Sequence, residues 1–526
     1  MPRQTASTGI FCHISSLPGP FGCGTLGASA RRFVRLLADR GIAIWQILPA
    51  DALDDQDSPY MAKSAMGGNS AFVDFDDLAA DGFPDVADYT GPSDRYDFDA
   101  VRAHRLHCFD QLSNWVRSAP AAASHREGMA AFRAAEADWL TDYVAFATIR
   151  EVQGGTTPWW EWPDALRDRD PASVNHIMAI HRDIADRYVL EQYLFHRQWF
   201  ALRTFATQHR VEIVGDVPIY VDGDSADVWA NRGHFALDRV GRPAQLSGTP
   251  PDYFCADGQC WGSPVYDWET LARDDYGWWI RRLARAQRLY DRFRIDHFRA
   301  LAAYWSIPAA TPDPQLGAWR PGPGAALLTA AYAQIPGLQI IIEDLGAVDK
   351  QVFDLRDAFG LPSMHVVQLV GQSDIQQIHF LENHRAVGWA YLGNHDTPTT
   401  LAWLTTLSSN QRALFLDEIR KAVPTAETLD LDGLLAYTLS SRCAVAILCL
   451  QDLMRLGDEG TMNTPGTVGG NWDWRVADAD QLPDAMDYMA ALIARYRPAL
   501  PFDAPVAEPG NQKPLADQKQ HGDRQA

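Results

Sequence analysis

Eight short apolar segments recur along this chain, and most of them end in a polar cluster. They read "GIFCHISSL" (9–17), "IAIWQILPA" (42–50), "VEIVGDVPIY" (211–220), "YDRFRIDHF" (290–298), "LQIIIEDLG" (338–346), "MHVVQLVG" (364–371), "AVGWAYLGNHD" (386–396) and "AVAILCLQDLM" (444–454). Most are continuous rather than alternating. A continuous run fits a parallel strand buried on both faces, whereas a half-exposed strand alternates. Helical patterns separate several of them. "RRFVRLLADRG" (31–41) and "DKQVFDLRDAFG" (349–360) each close on a glycine, a common helix stop. Eight strands with helical crossovers predict an α/β fold, a (β/α)8 TIM barrel. The eighth segment, within 443–457, reads equally well as a helix.

Two intervals exceed a simple crossover. Residues 51–210 hold several helical segments, with a long one near 176–209, and 221–280 are rich in Gly, Pro, Asp and aromatics. They are expected to be mainly helical insertions after strands 2 and 3, leaving the barrel on the face that carries active sites. Little chain remains after the last strand for a C-terminal β-sandwich. The expected organisation is a catalytic barrel over 1–500, insertion subdomains at about 51–210 and 221–280, and a polar, disordered tail at 501–526.

Charge narrows the partners. The net charge is −21, which disfavours phosphate backbones and anionic membranes. No apolar run of about 20 residues appears, and the N-terminus has no signal-like core. The expectations are no nucleic acid, no membrane and a cytoplasmic location. The seven cysteines are odd in number and form no CxxC pair, which argues against a disulfide framework and a zinc site.

The chemistry sits at the strand ends. Side chains alternate along a strand, so in "DRFRIDHFRA" (291–300) Arg294 and Asp296 share one face. An isolated pair of this kind reads first as a structural ion pair. "LQIIIEDLG" ends in Glu343 and Asp344; alternation sends one of them inward and leaves open which. "LGNHDTPT" adds His395 and Asp396, and "VGDVPIYV" adds Asp216, which alone reads as structural. Acids at the ends of several barrel strands would suit a metal, but no ligand-spaced histidine pair accompanies them. No metal or cofactor is expected. Carbohydrate chemistry needs such a set without a metal: two carboxyls about 5 Å apart, one a nucleophile and one an acid/base. Aromatics in the insertions agree, since they bind the apolar faces of sugars. They include Trp159, Trp160, Trp162, Trp229, Trp261, Tyr253 and Phe254, though most of these tryptophans are expected to fill the core.

From about residue 9 to about 475 the motifs resemble 4-α-glucanotransferases of the amylomaltase (disproportionating enzyme) type, a glycoside hydrolase family related to the α-amylases. The resemblance rests on "HISSLPGPFGCGTLG", "WQILP", "DSPYMAKSAMGGNS", "GDVPIYVDGDSADVWAN", "PPDYFCADGQCWGSPVYDW", "RIDHFRALAAYWSIPA", "EDLG", "NHDTPT" and "MNTPGTVGGNWDWR", in that order. It implies Asp296 as nucleophile, Glu343 as general acid/base, and Asp396 as the residue that holds the hydroxyls of the bound glucose. Arg294 and His395 would support that subsite, and Tyr60 would stack on its sugar. Trp261, Tyr253 and Phe254 would line the acceptor side. Ser58, Asp216 and Asn463 complete the substrate-binding set. Arg294 is expected to keep Asp296 ionised, and an apolar setting to raise the Glu343 pKa. The implied partners are α-1,4-glucans with glucose as acceptor, and the implied state a monomer or weak homo-oligomer. An α-1,4-glucan hydrolase with the same triad, or an inactive glucan-binding protein, is the alternative. Three residues depart from the family pattern: Thr461, Ser363 and His365.

Overall fold

The computed structural model describes residues 7–53, 57–253, 255–371 and 374–498. Phe254 and the tail expected at 501–526 lie outside the described residues.

All eight apolar segments contain a strand. They are β1 (Ser7–Phe11), β2 (Ile44–Gln46), β3 (Glu212–Val217), β4 (Arg292–Ile295), β5 (Ile340–Ile342), β6 (Met364–Val366), β7 (Trp389–Tyr391) and β8 (Val445–Cys449). They form one parallel sheet in the order β5-β4-β3-β2-β1-β8-β7-β6. Strand order follows chain order around the ring, with β1 beside β8, as in a (β/α)8 barrel. The seam lies between β5 and β6. There the Ile342 amide donates to the Pro362 carbonyl at 3.3 Å. Asp344 strengthens the seam by accepting from the Met364 amide at 2.9 Å. The eighth segment turns out to be both things its residues allow: a strand, then the short helix Leu450–Leu453.

The crossover helices follow from their patterns. In Ala28–Ala38 the buried residues Ala30, Phe33, Val34 and Leu37 fall at helical spacing. Gly41 then takes φ +69°, where a side chain would be strained. In Lys350–Ala358 the Asp349 carboxylate caps the first turn by accepting from two amides.

The first insertion is helical as expected, with Phe98–Ser118, Ala123–Ala135, Ala137–Val152, Pro171–Ile180 and Arg182–Gln208. It also holds the antiparallel pair Asp51–Leu53 and Ala62–Gly68. Gln192 of the longest helix clamps that pair, exchanging hydrogen bonds with both backbone groups of Gly68 at 2.7 and 2.8 Å. Ser58 and Tyr60, between the two strands, thereby reach the barrel mouth.

The second insertion differs. It has short helices, but its frame is an antiparallel sheet ordered Ala318–Pro321, Ala303–Pro308, Gln245–Thr249, Gln259–Pro264. Two of those strands come from the loop after β4, to which the sequence reading assigned no element. Their residues are not a continuous apolar run, so a search for doubly buried strands passes over them. Most insertion tryptophans serve the core: Trp159, Trp162 and Trp229 are buried. Removing such a ring costs about 3–5 kcal/mol. After β8, the described residues hold no further sheet and end with the helix Leu482–Tyr496, packed on Ala28–Ala38 and Leu431–Leu439. Among the described residues no helix is long and apolar enough to cross a membrane.

Candidate active site

One guanidinium organises the barrel mouth. Asp216 and Arg294 are register neighbours on β3 and β4, so their side chains share the inner face. Arg294 Nε donates to Asp216 Oδ2 at 2.9 Å. Nη1 donates to Glu343 Oε2, and Nη2 to Asp296 Oδ1, both at 2.8 Å. Nη2 also donates to the Tyr60 hydroxyl at 3.0 Å. That hydroxyl lies 2.8 Å from Asp216 Oδ2 and 2.8 Å from His395 Nε2. The Tyr60 and His395 rings stack at 5.3 Å. His395 Nε2 sits 3.2 Å from Asp396 Oδ2, and Asn463 Nδ2 donates to Asp396 Oδ1 at 2.6 Å. Arginine suits the centre because its planar fork serves several carboxylates at once.

Asp296 and Glu343 stand side by side on the two terminal nitrogens of Arg294. Burial, joined by the negative Glu343 and Asp216, pushes the Asp296 carboxyl well above its usual range, against the pull of Arg294. Burial acts on Glu343 too, but Arg294, Asp296 and the His297 amide outweigh it and hold that carboxyl low. Their surroundings thus act in opposite senses, up for Asp296 and down for Glu343, and the two carboxyls titrate as a pair. This corrects the expected electrostatics. Arg294 touches both carboxyls, so it cannot ionise Asp296 alone, and Glu343 carries an extra donor, His297 N at 3.0 Å. Asp396 is different again. Burial raises it, but His395 and the Asn463 amide prevail and hold it at about 2.

These groups open into a cleft of about 680 Å³. Asp296, Glu343, Asp396, His395, Tyr60, Ser58, Trp261 and Asn463 all line it. Three expected members do not. Arg294 and Asp216 are buried behind the lining, where they support Tyr60 and the acids. Tyr253 lies beside the cleft, its hydroxyl accepting from the Gly346 amide at 2.7 Å after β5. Of the two acids that end "LQIIIEDLG", Glu343 faces the cleft. Asp344 is fully buried in the seam, where it pairs with Arg356 at 3.1 Å.

A family model described as 4-alpha-glucanotransferase matches residues 12–480. The chain belongs to the 4-alpha-glucanotransferase family. A 4-alpha-glucanotransferase of Thermus thermophilus is 36% identical over 480 residues, which cover 90% of this chain and 96% of that one. One from Synechocystis sp. is 38% identical over 493 residues, covering 91% and 95%. An amylomaltase from Streptococcus agalactiae, solved in complex with acarbose, superposes with a TM-score of 0.87 at 29% identity, over 94% of this chain and 100% of that one.

Within this 4-alpha-glucanotransferase, two departures from the family pattern have a structural setting away from the cleft. Ser363 Oγ accepts from Arg356 and Arg385 at 3.1 and 3.3 Å. His365 on β6 is buried, stacks on His384 at 4.6 Å and bonds the carbonyl of Ile378. Thr461 backs the wall that carries Asn463, and its buried hydroxyl has no hydrogen-bond partner among the described residues.

Two cleft residues escape a reading of motifs by strand end. Trp472 takes φ 66° and sets its ring 5.6 Å from that of Tyr60. His297 takes φ 44° and sets its ring 4.8 Å from Trp261. The glycines of "GTVGGNW" are the one sequence signal for the first.

Proposed function

We propose that this enzyme is a retaining 4-α-glucanotransferase acting on α-1,4-glucans, with Asp296 as nucleophile, Glu343 as acid/base and Asp396 as a binder of sugar hydroxyls. The observation that carries the reading is that the two terminal nitrogens of one guanidinium, Arg294, hold Glu343 Oε2 and Asp296 Oδ1 at 2.8 Å each at the barrel mouth. An inverting pair stands about 6.5–9.5 Å apart to admit a water between its members. Carboxyls drawn together by one guanidinium suit a double displacement.

Glu343 gives its proton to the leaving 4-oxygen while Asp296 bonds to the anomeric carbon, and the glycosidic C–O bond breaks. The 4-hydroxyl of an acceptor glucose or maltodextrin then attacks that carbon. Its proton passes to Glu343 and the bond to Asp296 breaks. The first step needs Glu343 protonated and Asp296 ionised. A glycosidic oxygen beside Glu343 supplies the bias, because a hydrogen bond from the neutral acid favours the neutral acid. Asp396, anionic at any working pH, accepts from the donor sugar hydroxyls, and Tyr60 and Trp472 offer their rings to that sugar.

Incubation with maltotriose tests the reading. A ladder of longer maltodextrins is the expected product, whereas glucose and maltose alone would mark a hydrolase. Glu343→Gln is expected to abolish the ladder; full activity in that variant would remove Glu343 from its role.

A further inference from the structure

Two arginines outside the cleft are buried without a carboxylate. Arg105, on the helix Phe98–Ser118, and Arg475, just after the cleft residue Trp472, are each 4% exposed. Neither forms an ion pair among the described residues. Arg105 Nη1 donates to the Val73 carbonyl, and its guanidinium stands over the Phe75 ring at 4.5 Å. Arg475 Nη2 donates to the Gly19 carbonyl at 3.0 Å. Their other nitrogens, Nε and Nη2 of Arg105 and Nε and Nη1 of Arg475, are buried with no hydrogen-bond partner among the described residues. The buried Tyr89 hydroxyl has none either.

These groups meet around one loop. Residues 19–23 run between the two arginines: Arg475 bonds Gly19, and Arg105 lies 5.3 Å from the Phe21 ring. Cys23 packs with Tyr96, Val101 and Tyr89. Its thiol feels both guanidiniums, but burial prevails and raises its pKa, so it stays neutral. A neutral thiol balances neither charge. The exposed Asp94 attracts Arg475 without reaching ion-pair distance. The chain has 67 acids against 46 Lys and Arg, so carboxylates are not scarce, yet none is placed on these nitrogens. A cation taken out of water is paired or it is costly. Two such cations and a hydroxyl, all donors left unanswered, form the protein half of an anion site. Arg105 also lines a second cavity of about 630 Å³, which shares Tyr96 and Phe98 with the glucan cleft and gives an anion a way in.

We propose that Arg105, Arg475 and the Tyr89 hydroxyl bind a phosphate-type oxyanion. A tetrahedral oxyanion presents acceptors in several directions, which two guanidiniums and a phenol can share. Trp472 and Asp473 line the cleft, and the Asp473 carbonyl accepts from the Tyr96 amide at 2.8 Å. The anion therefore fastens the end of that wall to the helix Phe98–Ser118. The inference does not depend on the reaction proposed above.

Equilibrium dialysis of the full chain against inorganic phosphate should show one saturable site. Melting temperatures should rise with phosphate while sodium chloride holds the ionic strength constant, which separates occupancy from screening. Tyr89→Phe removes one hydroxyl and should weaken binding about tenfold, the effect of one hydrogen bond to a charged group. Arg105→Met should abolish binding. It should also melt no lower than the parent in phosphate-free buffer, because an unanswered buried charge is gone; an arginine that only props up the fold would do the reverse. Should Arg105→Met fail to fold, Tyr89→Phe decides by itself. Glucose 1-phosphate, run in parallel, distinguishes the sources of the anion: tighter binding than phosphate places a sugar ester in the cavity, and equal or weaker binding assigns the free ion. Saturable binding of neither compound, or binding that Tyr89→Phe and Arg105→Met leave at the parent level, would overturn the proposal.

Discussion

Asp216 and Arg294 meet inside the barrel with 2.7 Å between Oδ2 and Nη2, and both side chains are 1% exposed. This pair fixes the guanidinium from below, so that Nη2 also reaches Asp296 while Nη1 holds Glu343. A point charge could not do this.

Arg294→Lys is therefore expected to lower kcat by roughly 10²–10³-fold, the range seen when one preorganised donor is lost, although the charge is kept. Steady-state kinetics on maltotriose would measure the loss, and a circular-dichroism spectrum would show the barrel intact. Near-parent activity would mean that the fork geometry is irrelevant.

Asn463→Ala removes the 2.6 Å donor to Asp396. A hydrogen bond to a charged group contributes about 1.5–3 kcal/mol, so kcat/KM should fall roughly 10–100-fold. Asn463→Asp should do worse, because a second anion would face the first. Kinetics of the two variants side by side would decide; a harmless Asp would refute the arrangement.

The rate should show a bell-shaped dependence on pH, both limbs belonging to the Asp296–Glu343 pair: it needs one proton, no more and no fewer. Asp396, at about 2, stays ionised throughout. Asp396→Asn should lower the bell without moving its limbs. A kcat/KM profile of the residual activity would test this, and a displaced acid limb would count against it.

Three buried histidines should set the acid stability. Burial holds His365 down to about 2, His379 to about 3 and His384 to about 4. Unfolded, each takes a proton near 6.5, while the folded forms stay neutral far below that. Stability from these groups is thus complete above about pH 6.5 and is lost as pH falls toward the folded values. Each group contributes a slope of at most about 1.4 kcal/mol per pH unit. Melting temperatures from pH 7.5 to 5 should fall, and His365→Gln should flatten the fall. An unchanged slope in that variant would exclude the mechanism.

Parity along a strand makes Arg294 and Asp296 legible as neighbours from the sequence, and continuous apolar runs make the barrel legible. At Glu343 and Asp344 parity says only that one of the two turns inward; the structure turns Glu343 to the cleft and Asp344 into the seam on Arg356. The sharing of Arg294 is illegible for another reason: Tyr60 stands 234 positions away, and no local pattern reports such a contact. The downward pull on Glu343 is illegible because its extra amide donor comes from the unusual backbone of His297, which residue types do not announce. Of "DRFRIDHFRA", Asp296 and His297 line the cleft, and Arg299 is turned elsewhere. It lies 3.6 Å over the Trp319 ring and pairs with Asp349.

The cleft takes its lining from Asp57 through to Asp473. A ribosome making this chain therefore releases the nucleophile, the acid and most of the binding wall long before Asn463 and Trp472 exist. No nascent fragment holds a finished catalyst. Activity arrives at one late moment in synthesis, and a polypeptide abandoned midway cannot begin to rearrange glucans.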